Sequence, residues 1–150
     1  MTKPVDDLLP DAADAKIKVV EQLEAKDAER RRAAAAAEEE KRALIAELQK
    51  PSGLSEDEKI KRAASVIQRA VNNGLTEVLV YRFPNQLCTD RGRAINQGEA
   101  GWEDTLTGIP KEIYQLWRDY LQPRGYKLHY QIIEFPGGMP GDIGITLSWH

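Results

Sequence analysis

The segment Lys50-Pro51-Ser52-Gly53 divides the chain into two stretches that cannot belong to one kind of structure. Before it there is no glycine and no aromatic residue, whereas all eleven Gly, the first of them Gly53 itself, and all ten aromatics lie from it onward. From about Asp14 to Gln49 the residues are strong helix formers, with Pro10 before and Pro51-Ser52-Gly53 after to stop the helix. At 1.5 Å per residue this predicts a rod roughly 54 Å long. The organisation expected is an extended helix or coiled-coil segment over 1–50, a linker over 51–54, and a small α+β domain over 55–150.

With Val20 as position a, the heptad a and d positions are Val20, Leu23, Asp27, Arg30, Ala34, Ala37, Lys41, Leu44 and Leu48. Six of these nine are apolar, enough to predict self-association or docking on a protein partner through residues 14–49. The rival is a charged, solvated single helix or a partly disordered leader; pairs such as Glu38 with Arg42 would support either version of the helix by about 0.2–0.5 kcal/mol each.

From Leu54 onward the pattern is that of a packed domain in the order α-β-α-β-β. Ser55-Glu56-Asp57-Glu58 reads as a capping box, opening a helix whose apolar face is Ile60, Ala63, Ala64, Ile67, Ala70 and Val71, and Asn72-Asn73-Gly74 closes it. Thr76–Phe83 is β-branched and aromatic on both alternating faces, which predicts a strand covered on two sides or central in its sheet. A second helix opens near Pro110, shows Ile113, Leu116, Trp117, Tyr120 and Leu121 on one face, and closes at Pro123-Arg124-Gly125. Alternation then predicts a C-terminal β-hairpin with Ile132 opposite Ile145, Tyr130 opposite Leu147 and Leu128 opposite Trp149. Both helices are expected on one face of the sheet, leaving a mixed or polar second face.

Composition excludes several classes of function. One cysteine, Cys88, makes neither an intramolecular disulfide nor a zinc ribbon. Residues 1–50 carry 10 basic and 12 acidic side chains and residues 51–150 carry 11 and 12, so neither part has the basic excess of a duplex-binding protein, and nucleic acid is not expected. No run reaches the roughly 18 apolar residues of a membrane span. Met1–Pro10 is polar, with Asp6 and Asp7 where a signal peptide needs an apolar core, so a cytoplasmic protein is expected.

Chemistry, if present, belongs to the 25 residues Pro84–Gly108, a long connection without clear periodicity, and to the loop Pro136–Asp142. The long loop carries Leu87, Cys88, Ile95, Trp102 and Leu106, residues of buried type, so it is expected to be ordered with a short helical turn. Trp102 reads as a plug over the core or as a recognition anchor, and Met139, on the hairpin loop, as a further ligand or partner contact. Arg91 and Arg93 suit bidentate capture of a carboxylate or phosphate, the basis for expecting a small anionic ligand. Were the protein an enzyme, Cys88 would be its nucleophile and His129 its base; the plainer readings are a buried thiol and a sheet-surface histidine. Asp90, Glu99, Glu103 and Asp104 do not have the spacing of an EF-hand, and no metal or other cofactor is expected. The glycines of Pro136–Asp142 join two strands and open no helix, which removes a phosphate-cradling loop. The expected function is therefore that of a non-enzymatic interaction or scaffold protein: the helix associates and the α+β domain presents loops 84–108 and 136–142.

Overall fold

The computed structural model describes residues 8–150; the polar start, Met1–Asp7 with Asp6 and Asp7, lies outside the described residues. The fold is α+β: one long helix, then a three-stranded antiparallel sheet with helices. Helix α1, Ala12–Leu48, is 37 residues long and follows the run of helix formers closely. None of its residues is buried, and its apolar side chains are spread around it more than gathered on one face. Its ion pairs are at i, i+3, among them Arg42 with Glu39 at 3.7 Å in place of the expected Glu38.

The chain divides into two units inside this helix, between Ala43 and Leu44, and not at the 51–54 connector. In the second unit Ile45 and Leu48 pack against the core, and the Ser52 backbone N–H donates to both Glu112 carboxylate oxygens at 3.3 Å. Composition does not register this boundary, because helix formers continue across the point where their apolar side chains begin to be covered. Gly108 is part of the same junction. Its φ is +63°, and a Cβ there would overlap the Leu48 carbonyl oxygen.

Helix α2, Glu56–Asn72, starts where Ser55 Oγ accepts from the Glu58 N–H at 3.2 Å, the predicted half of a capping box, and its chain turns away at Gly74 with φ +73°. Strand β1, Glu77–Phe83, leads to three short helical pieces in the long connection, Asn85–Leu87, helix α3 at Arg93–Gln97, and Trp102–Thr105, where one turn was expected. Helix α4 opens at Gly108, before Pro110, and runs to Leu116. It then widens into a π-helical turn over Trp117–Leu121 before Gly125 ends it with φ +92°. Strands β2, Lys127–Ile132, and β3, Ile143–Ser148, complete the sheet in the order β1-β3-β2.

Two strand expectations are corrected. Strand β1 lies at an edge, and β3 is central. The apolar residues on both alternating faces of β1 come from a bulge at Val80, between Leu79 and Tyr81, which reverses the phase: Val78 is half-buried before it, Tyr81 and Phe83 are turned inward after it, and Leu79 is exposed. The β2/β3 register is also two residues tighter, with Leu128 opposite Leu147, Tyr130 opposite Ile145 and Ile132 opposite Ile143. A shift of two keeps every side chain on its face, so alternation could not separate the two registers. The tighter one lengthens the ladder through Ile133 N–H to Asp142 O and Gly141 N–H to Glu134 O, both 2.9 Å. It also releases Trp149 to donate its backbone N–H to Thr76 O of the other edge at 3.0 Å.

The core is Phe83, Leu87, Cys88, Leu106, Tyr130, Ile132, Ile143 and Ile145, on the helix-covered side of the sheet. The opposite side carries His129, Gln131 and exposed Leu79, the mixed face expected, with Arg82 bridging Glu134 and Asp142 at 2.8 Å each. No helix among the described residues is long and apolar enough to cross a membrane.

Candidate functional site

The long connection is held down along its length by its own polar groups. Asp90 accepts from the Gly92 and Ala94 N–H groups at 3.0 and 2.9 Å, capping α3, and this turn places Arg91 at φ +59° with its side chain in solvent. Arg93 is drawn to Glu99 at 3.1 Å. Thus two of the four loop carboxylates already have protein partners, and among the described residues no three His, Cys, Asp or Glu side chains gather as a metal site. Of the two arginines, Arg91 is the one without an ion pair among the described residues.

Trp102 lies half-buried between Tyr130 and Tyr114, with ring centroids 4.9 and 5.6 Å away, the position of a plug over the core. Beneath it Tyr130 donates its hydroxyl hydrogen to Pro110 O at 2.7 Å, and burial pushes that phenol well above its ordinary range. The hairpin loop meets the long connection where Asn85 Nδ2 donates to Pro140 O at 2.6 Å. Met139, beside that contact in sequence, is 68% exposed. The two loops are therefore joined at one end, with Met139 free on the hairpin side and Arg91 free on the other.

Cys88 and His129 are not brought together. Cys88 is 2% exposed and belongs to the core cluster that includes Tyr130. His129 precedes Tyr130 on β2 and points to the other, solvent-facing side of the sheet, in register with Thr146. Burial pushes the thiol up to about 11, against a smaller opposing effect of its hydrogen bond with Thr105. At neutral pH the group is a thiol, and His129 is not beside it.

A second candidate site escaped the sequence reading. Helix α2 is seated shallowly: Ala70 is its only buried residue, and Val71 is 52% exposed. Between α2, α4 and the sheet lies a cavity of about 310 Å³, walled by aliphatic residues that include Val66, Val80, Leu116, Leu128 and Leu147. A second hollow of about 370 Å³ shares Ala63, Leu116 and Leu121 with it and extends along Ile60, Ile67 and Tyr126. Polar groups reach the first cavity from Ser52, Lys59, Arg62 and Glu112. The helical periodicity identified the apolar residues correctly; whether facing helices close upon one another depends on their separation, which periodicity does not encode.

No family model, curated protein or solved structure matches this chain.

Proposed function

We propose that the protein acts by association and not by catalysis, with the N-terminal part of α1 joining copies of the chain and the α+β domain presenting its two joined loops to a partner. The observation that carries this reading is the exposure of Ile17, Val20 and Leu23, at 56%, 52% and 57%, within a helix that buries none of its residues. A helix in water draws most of its stability from covering its apolar side chains, and these three lie within two turns. Asp27, Arg30 and Lys41 interrupt the seam beyond these residues, which favours a weak, concentration-dependent assembly. On the domain, Arg91 and Met139 are the predicted contacts left uncommitted by internal packing, and Arg91 suits an anionic group on the partner.

Light scattering on the full chain and on residues 44–150 tests the reading. The full chain is expected to show a molar mass that rises with concentration above 16.9 kDa, and residues 44–150 to remain monomeric. Association that survives removal of residues 1–43 contradicts it.

A further inference from the structure

The cavity between α2 and α4 has a built polarity. Its lining is mainly apolar, and the indole Nε1–H of Trp117, one of its walls, is already given to Tyr126 O at 2.9 Å. No buried side-chain nitrogen or oxygen lacks a partner among the described residues, and the wall is mainly apolar, with the Tyr81 hydroxyl among its few polar groups. The charged groups are Lys59, Glu112 and Arg62. Lys59 Nζ stands 3.6 Å from Glu112 Oε1, and Glu112 also accepts the Ser52 N–H, which leaves that carboxylate matched. Arg62 follows Lys59 by one helical turn and makes no ion pair among the described residues. The polar side of the cavity therefore carries one unmatched cation.

We propose that this cavity binds a free, single-chain amphiphilic carboxylate, with its tail between α2 and α4 against Val80, Leu128 and Leu147, and its carboxylate on the Arg62 guanidinium. A guanidinium fork matches both carboxylate oxygens at once. The volume sits at the lower end of the range of about 300–1,000 Å³ for ligand pockets, which suits one short tail and not a two-tailed lipid. The shallow seating of α2 lets the tail enter without breaking a packed interface, because only Ala70 of that helix is buried. This inference is independent of self-association through α1.

Calorimetric titration of the full chain with decanoate, below the concentration at which it forms micelles, tests the proposal. Saturable binding of one decanoate per chain is expected, with hexanoate at least tenfold weaker because it covers less apolar wall. Arg62→Gln, a change at an exposed position, is expected to weaken decanoate by about tenfold or more, and decylammonium is expected to bind far more weakly than decanoate. Val66→Trp, which fills the cavity, should abolish binding. Absence of saturable decanoate binding overturns the proposal, as does unchanged affinity in Arg62→Gln or equal affinity for decylammonium.

Discussion

The Cys88 thiol, 2% exposed and raised from an ordinary 9.0 to about 11, is neutral and sheltered at pH 7. Its labelling by a thiol reagent in the native protein at pH 7 is expected to run at least a hundredfold slower than in the unfolded chain; equal rates would show the site open. The same shift sets a pH dependence of stability. The folded state holds this proton more tightly than the unfolded chain, so the contribution is complete below pH 9 and is lost as pH rises towards 11, by on the order of 2 kcal/mol. Denaturant titrations of wild type and Cys88→Ala across that window are expected to converge as pH rises, since only the wild type has the thiol to lose. Backbone conformation gives a second contrast. Gly74 and Gly108 both have positive φ, but a Cβ meets nothing within 4 Å at Gly74 and meets the Leu48 carbonyl at Gly108. Gly74→Ala is expected to destabilise by about 1 kcal/mol and Gly108→Ala by at least 2 kcal/mol more; equal losses in urea unfolding would remove the close approach from the account. Both glycines are visible in the sequence, yet only Gly74 follows an apolar helical run and so announces its role. The role of Gly108 depends on a residue sixty positions earlier.

Among the elements, the helices were legible because capping residues and a period of 3.6 are local signals: Ser55 opens α2 and Gly74 closes it as read. Strand register was not, because the two candidate registers of β2 and β3 differ by two residues and bury the same side chains. Cross-strand nuclear Overhauser contacts between the α-hydrogens or amides of Tyr130 and Ile145 are expected, and contacts of Tyr130 with Leu147 in their place would restore the looser hairpin. The edge position of β1 was hidden by its bulge, which mimics the two-sided apolarity of a central strand. The unit boundary inside α1, between Ala43 and Leu44, was hidden by composition. Because Ile45 and Leu48 pack on the core, residues 44–150 are expected to keep the stability of the domain, whereas residues 51–150 lose about 2–4 kcal/mol. Equal midpoints of urea unfolding for the two truncations would show that the last turn of α1 adds nothing.

For the whole molecule, the succession of one long helix and an α+β fold was legible from the composition on either side of Pro51-Ser52-Gly53, since a segment without glycine or aromatics can build little else, but the boundary between the two units, inside the helix, was not. The candidate sites were legible only in part. The loops and their exposed Arg91 and Met139 follow from sequence, while the opposition of Cys88 and His129 across the sheet and the cavity beneath α2 are products of packing between distant segments. The central proposal is association through Ile17, Val20 and Leu23. The most direct test is sedimentation equilibrium of the full chain beside the double variant Val20→Lys, Leu23→Lys, whose exposed substitutions leave the domain untouched. The account predicts a wild-type mass that climbs with concentration towards at least twice 16.9 kDa and a variant that stays at the monomer mass; a wild type fixed at 16.9 kDa throughout, or a variant that associates equally well, contradicts it.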